Sequence, residues 1–237
     1  VRWALVLRGV AYTRTAYQPF VGEPAMRLRL RRWTGPISVP VLITESGPLT
    51  DSFDIARYAD RHGTANSAAL FPSESADTLR RFNTLSETAL AAGRHLGLRR
   101  VVEDQREVLD DYVPAPVRRV LGHRARAIAA AGIHRTLAKY APVTPQDPDD
   151  SLRAFLDALG EALDATTATA SGHRYLLGEF SYADITMAEG LSFFRPPASH
   201  LRLSDGARSA YTWAQLPEGY DALFAWRDAL YASRPGS

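Results

Sequence analysis

The stretch Ser38–Gly63, SVPVLITESGPLTDSFDIARYADRHG, decides the fold of the first part of this chain. Its apolar run Val39–Thr44 predicts a strand that is entered through a proline, since proline cannot donate to a strand ladder. Gly47-Pro48 predicts a turn, and Leu49-Thr50 predicts a brief second strand. An amphipathic helix is predicted from about Asp51-Ser52 to the glycine that closes the stretch.

The residues before this stretch add a helix and a strand. Val1–Leu7 is apolar and is followed by Gly9, which favours the end of a helix. Val10–Tyr17 is rich in β-branched and aromatic residues and predicts a strand. Pro19–Gly35 leaves two interpretations open. Its apolar residues alternate with arginines, as in a strand, whereas Pro24 favours a short helix.

The chain changes character after residue 63. Thr64–Ser75 is small and polar around a Leu-Phe-Pro triplet and predicts an interdomain linker. Beyond it, all predicted elements are helical, and Pro142–Asp150 is predicted to be a loop. The predicted helices cover about Ala76–Glu103, Val117–Tyr140, Ser151–Thr167, Ser181–Phe194 and Tyr220–Ala232. We therefore expect an α/β + all-α protein with an α/β domain over residues 1–63, a linker over 64–75 and an all-helical domain over 76–237.

The composition argues against several classes of protein. The 237 residues are 46% apolar and 23% charged, which is typical of a globular protein with a sizeable core. The net charge of only +2 gives no reason to expect a nucleic acid or a membrane as partner. The absence of cysteine is compatible with a reducing compartment and excludes disulfides and thiolate metal sites within these residues. The six histidines lack ligand spacing, so we expect no metal site.

The arginines between Arg118 and Arg135, together with Lys139, predict a basic helix. We interpret it as a solvated face, because acidic segments on either side balance its charge.

Two short motifs in the opening stretch carry chemistry. A cis bond at Val39-Pro40 would turn the backbone N–H and C=O of Val39 outward, where an extended peptide could pair with them. An ordinary trans proline at the start of a strand is the alternative. At Asp51-Ser52 the helix N-terminus suits a carboxylate, to which Ser52 can also donate, while Asp51 can accept from an ammonium. The alternative is that one of the pair is simply the helix N-cap.

The combination of these motifs resembles the glutathione site of the glutathione transferase superfamily. The pattern S-V-P-V-L is followed, after the predicted hairpin, by D-S-x-x-I-x-x-Y, although the family more often has Glu in place of Asp51. Tyr175–Asp184, YLLGEFSYAD, resembles the stretch in which the family has a turn and a capping box, here formed by Ser181 and Asp184. Tyr220–Pro235, YDALFAWRDALYASRP, resembles the closing helix of the family.

The resemblance implies a thioredoxin-like N-terminal domain, whose first strand is absent from the given chain, followed by a helical-bundle domain. It also implies that the main chain of Val39 pairs with the cysteinyl part of glutathione, that the Pro40 bond is cis, and that Asp51 and Ser52 hold the γ-glutamyl end. Family members activate the thiol with a residue just before the first helix. That residue would precede Val1, so no catalytic residue is assigned.

The function implied by the resemblance is a cytoplasmic, homodimeric glutathione transferase that conjugates glutathione, as co-substrate, to a small electrophile. The electrophile is expected between the domains, against the helix that begins at Ala76. Two alternatives stay open. One is a binding or assembly module without catalysis, and the other is a glutathione-dependent reductase, isomerase or dehalogenase.

Overall fold

The computed structural model describes residues 1–17, 22–35, 37–64, 68–104, 106–139, 147–198 and 203–234. They form one small sheet and a large helical assembly. The elements are α1 (Arg2–Leu7), α2 (Glu23–Leu30), β1 (Leu42–Thr44), β2 (Gly47–Leu49), α3 (Ser52–His62), α4 (Ala76–Glu103), α5 (Ala115–Leu121), α6 (Arg124–Lys139), α7 (Pro148–Asp164), α8 (Tyr182–Gly190), α9 (Asp205–Ala210) and α10 (Asp221–Ala232), with 3₁₀ segments at Ser73–Ser75, Arg106–Tyr112 and Leu191–Phe193.

The sheet is a single antiparallel hairpin in which Leu42 lies opposite Leu49. Its turn consists of Glu45-Ser46, so the prediction of a turn at Gly47-Pro48 was wrong by two residues. Gly47 and Pro48 instead open β2. A proline is tolerated there because a strand of a two-stranded sheet has an edge that needs no donor.

Two other predictions for the N-terminal part are decided by the structure. Residues 10–17 form neither strand nor helix, so the predicted strand Val10–Tyr17 was wrong. A strand needs a partner to accept its hydrogen bonds, and the hairpin supplies none to this segment. The segment Pro19–Gly35 contains the helix α2, with Pro24 in its first turn and a 2.6 Å ion pair between Arg27 and Glu23 one turn apart.

The helical part is built around the long helix α4, which packs against α7 and α8. The predicted single helix Val117–Tyr140 is two helices, because Gly122 adopts a φ of +54° between α5 and α6. Helix α7 begins at Pro148, inside the predicted loop, and its N-cap Asp147 accepts from Asp149 N–H. Residues 142–146 of that loop lie outside the described residues. Helix α9 was not predicted.

One hydrophobic core joins the two parts of the chain. Buried residues of α1 and α3, such as Trp3 and Ala56, belong to the same cluster as Phe155 of α7 and Leu230 of α10. A smaller cluster lies where the end of α4 meets α6 and α9. Leu70, within the predicted linker, is fully buried, and residues 65–67 of that linker lie outside the described residues.

The helices of the described residues include none that is both long enough and apolar enough to cross a membrane. Nor do the described residues contain a group of three His, Cys, Asp or Glu side chains placed to hold a metal ion.

Candidate functional site

The hairpin brings the two motifs of the opening stretch to the same end of the sheet. Val39-Pro40 precedes β1 and Asp51-Ser52 follows β2, and the two strands run in opposite directions. Leu42 and Leu49 are the last paired residues of the hairpin. If the same register is continued beyond them, Pro40 corresponds to Asp51 and Val39 to Ser52. We call these four residues the hairpin-end site.

The Val39 side of this site is open. The Val39-Pro40 peptide bond is cis, as the resemblance implied. The Val39 side chain is 49% exposed, and no residue in the described ranges hydrogen-bonds to its backbone N–H or C=O. These two backbone groups are therefore free to pair with an extended ligand.

The acidic side of the site is partly used by the helix. Asp51 is the N-cap of α3, and its Oδ1 accepts from the N–H groups of Phe53 at 2.9 Å and Asp54 at 3.0 Å. The capping alternative therefore holds for Asp51. Its Oδ2 has no hydrogen-bond partner in the part of the chain that the structure describes, and neither has the N–H of Ser52 in the first turn. One carboxylate oxygen and one helix N–H remain for a ligand.

Phe53, the residue after Ser52, contacts the helical part of the chain through the ring of Tyr182, the first residue of α8. The Tyr182 hydroxyl donates to Asn83 Oδ1 in α4 at 3.1 Å, and Thr186 Oγ1 donates to the same oxygen at 3.5 Å. Burial raises the pKa of the Tyr182 phenol well above its usual value of 10, so it keeps its proton at neutral pH.

Aromatic rings cover this phenol. The Tyr182 ring stacks on Phe71 with a centroid distance of 4.9 Å and meets Phe53 edge-on at 5.4 Å. Phe71 is half-buried by these ring contacts.

The Ser181–Asp184 capping box predicted at the start of α8 is confirmed. The Asp184 carboxylate is fully buried and accepts from Ser181 N–H at 2.8 Å, from Ser181 Oγ at 3.1 Å and from Leu176 N–H at 2.8 Å. Burial raises the pKa of Asp184 to about 6 in spite of these donors. The box stabilises the turn before α8 and thereby helps to place Tyr182 against Phe53.

Two cavities flank the hairpin and α3. One, of about 600 Å³, lies between residues 10–15 and β1 and is bordered by Met26, Arg29 and Tyr58. The other, of about 350 Å³, lies between α3 and the start of α4, where Phe53, Phe71 and Leu79 supply apolar walls and arginines the rim.

Some arginines of the basic helix predicted around α5 and α6 bind to Asp110. Arg126 forms a 2.7 Å ion pair with Asp110, and Arg118 donates to the Asp110 carbonyl. The side chain of Lys139 lies outside the described residues.

The contacts of Tyr182 with Phe53 and with Asn83 were not predicted from the sequence. Tyr182 and Asn83 are 99 positions apart, and neither belongs to a spacing pattern that points to the other. The only sequence signal was the capping box, which fixed the start of α8 but not the direction in which the next side chain points.

Comparison with protein-family models, with curated proteins and with solved structures finds no match to this chain.

Proposed function

We propose that this protein binds glutathione at the hairpin-end site and conjugates it to a small electrophile. The observation that carries the proposal is a set of groups at one end of the hairpin that have no hydrogen-bond partner among the described residues: the N–H and C=O of Val39, Oδ2 of Asp51 and the N–H of Ser52. An extended tripeptide with a charged amino acid end needs such a set.

Each group has a partner on glutathione. The two backbone groups of Val39 pair with the cysteinyl residue as an added strand would. The α-carboxylate of the γ-glutamyl end lies at the N-terminus of α3, where the N–H of Ser52 and the positive end of the helix dipole favour an anion. The ammonium lies beside the free oxygen of Asp51, and the Ser52 hydroxyl bonds to one of these two charged groups.

The fold assigned with this function is a thioredoxin-like domain over residues 1–63, followed by the helical bundle. The hairpin followed by α3, and the packing of α1 against α3, support it. The electrophile is proposed to bind against the start of α4, where the cavity of about 350 Å³ reaches Phe53, the neighbour of Ser52. A homodimer in the cytoplasm belongs to the same proposal.

The reaction requires the thiolate of glutathione. A free thiol with a pKa near 8.5 is mostly protonated at neutral pH, and lowering that value by one unit takes about 1.4 kcal/mol of preferential stabilisation. No residue is assigned to this task. A binding module without catalysis is the second candidate, favoured by the observation that the one acidic side chain among the four residues of the hairpin-end site, Asp51, already serves as the N-cap of α3.

Calorimetric titration of the protein with glutathione tests the binding. Ser52→Ala removes a hydrogen bond to a charged group, worth roughly 1.5–3 kcal/mol, so the affinity should fall by one to two orders of magnitude. Ser46→Ala is the matched control, because Ser46 is exposed in the turn at the opposite end of the same hairpin. Equal affinities for the parent and Ser52→Ala would remove Ser52 from the site.

A conjugation assay with an activated aryl halide separates the two candidates. A transferase should show a rate that follows the ionisation of bound glutathione below pH 8.5. Binding of glutathione without such a rate would assign the protein to the binding modules.

A further inference from the structure

We propose that the cavity of about 350 Å³ between α3 and α4 selects small molecules that combine an apolar body with one anionic group, and that the electrophile belongs to this class. The inference deepens the proposed function by naming the class of its second substrate. The role of the ligand as a substrate rests on the proposed function, whereas the preference for an anion rests on the cavity alone.

One wall of the cavity is apolar and is held in place by packing. The rings of Phe53 and Phe71 meet edge-on with their centroids 5.2 Å apart. Leu79, which borders the same cavity, is 1% exposed. Sites for small molecules have volumes of about 300–1,000 Å³, so this space suits a compact aromatic or aliphatic body.

Three arginines border the same cavity: Arg57 and Arg61 one turn apart on α3, and Arg80 on α4. Within the described part of the chain, none of the three guanidinium groups has an ion-pair or hydrogen-bond partner. The guanidinium carbon of Arg57 lies 5.9 Å from the centroid of the Phe53 ring, which keeps this charge at the cavity wall. Like charges one turn apart destabilise a helix, and a bound anion would offset their repulsion.

The acidic side chain at the cavity is already neutralised from another direction. Asp60 forms a 3.2 Å ion pair with Arg8. Its oxygens also accept from the backbone N–H groups of Leu70 at 2.9 Å and Phe71 at 3.3 Å. No other Asp or Glu of the described residues borders the cavity. An apolar wall next to uncompensated positive charge attracts organic anions.

Phe53 connects this cavity to the hairpin-end site, because it follows Ser52 directly and its ring forms part of the cavity wall. In the conjugation, the thiol proton passes to the solvent and the thiolate sulfur of glutathione attacks the electrophilic carbon. A C–S bond forms, and the leaving group departs with the electron pair of its broken bond. The three arginines determine specificity: they hold the anionic group and take no part in these bond changes.

Two fluorescent probes test the preference without glutathione. Anilinonaphthalene sulfonate carries an anionic group, and phenylnaphthylamine has the same aromatic body without it. Arg57→Met keeps an apolar stem and removes the charge, so it should weaken the sulfonate at least about fivefold and the neutral probe less than about twofold. Arg57→Lys should lie between the parent and Arg57→Met, because lysine keeps the charge but lacks the planar fork. Arg80→Met, at a more exposed position, should show a smaller loss of the same kind.

Arg81→Met is the matched control for charge. Arg81 follows Arg80 directly in α4 and is also exposed, but it does not border the cavity. It should leave both affinities unchanged. An equal ratio of the two affinities in the parent and Arg57→Met, within about twofold, would overturn the preference, because a merely structural role would weaken both probes alike. An effect of Arg81→Met as large as that of Arg80→Met would also overturn it.

A second pair of variants locates the binding. Ala76 borders the cavity, so the ring introduced by Ala76→Phe would fill it and should weaken both probes. Ala91→Phe places the same ring at an exposed position of the same helix outside the cavity, and it should weaken neither. Equal affinities in the parent and Ala76→Phe would show that the probes bind elsewhere and would refute the assignment to this cavity.

A pair of aryl halides extends the test to the reaction. Chlorodinitrobenzoate is anionic, and chlorodinitrobenzamide is its neutral counterpart. Arg57→Met should lower kcat/KM for the benzoate at least about fivefold more than for the benzamide. Equal losses for both halides in a protein that conjugates them would overturn the substrate class alone. Charge-dependent probe binding in a protein that does not bind glutathione would refute the proposed function and leave the anion site in place.

Discussion

The strongest prediction concerns the buried carboxyl of Asp184 and its response to pH. Two physical effects oppose each other there. Complete burial favours the neutral acid, whereas the donors of Ser181 and Leu176 favour the carboxylate. Burial is the larger effect and raises the pKa from 3.8 to about 6. Replacement of Asp184 by Asn removes the titration and keeps an acceptor oxygen of similar shape.

The sign of the effect follows from proton linkage. Because the pKa is raised on folding, the folded state binds the proton more tightly than the unfolded state between pH 4 and 6. The stabilisation is fully present below about pH 4 and is lost as the pH rises through about 6. A difference of about two pKa units corresponds to about 3 kcal/mol. The unfolding free energy of the parent should therefore fall by roughly 2–2.5 kcal/mol, relative to Asp184→Asn, between pH 4 and pH 7.

Urea unfolding followed by circular dichroism at pH 4, 5, 6 and 7 measures this difference. Effects of the other titrating groups cancel between parent and variant, because they are common to both. Asp164→Asn, at the exposed end of α7, controls for the loss of one acidic side chain. The difference in unfolding free energy between the parent and Asp184→Asn could instead stay constant with pH, or the parent could gain stability relative to the variant as the pH rises. Either result would show that the three hydrogen bonds outweigh burial and would refute the reasoning.

Three further predictions concern stability and assembly. Ser181→Ala should cost about 0.5–2 kcal/mol in urea unfolding and leave the affinity for glutathione unchanged, because it removes a cap and not a ligand contact; an unchanged unfolding midpoint would contradict the capping role. Gly93→Ala should destabilise by about 1–3 kcal/mol, since an added Cβ would lie 2.2 Å from Cβ of Phe193, whereas Gly160→Ala, which has open space, should not. Light scattering at micromolar concentration should give twice the mass of the chain, and a monomer would contradict the proposed homodimer.

The sequence predicted those elements whose signals are local. The start of α3 follows from an acid and a serine before an amphipathic run, and the box at Ser181 follows from an acid three residues later. The strand predicted at Val10–Tyr17 failed because β-propensity counts only where a partner accepts the hydrogen bonds. The break at Gly122 was missed because helical periodicity continues on both sides of it.

The four residues of the hairpin-end site were predictable from the sequence, but the side chains that pack behind them were not. The motifs named Val39-Pro40 and Asp51-Ser52, and antiparallel pairing is enough to bring them together. The ring that packs against Phe53, next to Ser52, comes from a helix that begins 129 positions later, at Tyr182. Only the packing of α8 against α4 sets its direction, and no local pattern records that packing.

The shared core has a consequence for how this protein can be altered by recombination. The ring of Trp3, in the first helix, lies 5.7 Å from that of Tyr231, in the last, and Arg234 sits over the same indole. A chimaera in which residues 1–63 come from another protein would lack the partner of Tyr231 and Arg234 in this contact between the first and last helices. A protein cleaved in the segment after α3 should therefore remain associated as two fragments. A chimaera that folds would have to take α1 and α10 from the same parent protein.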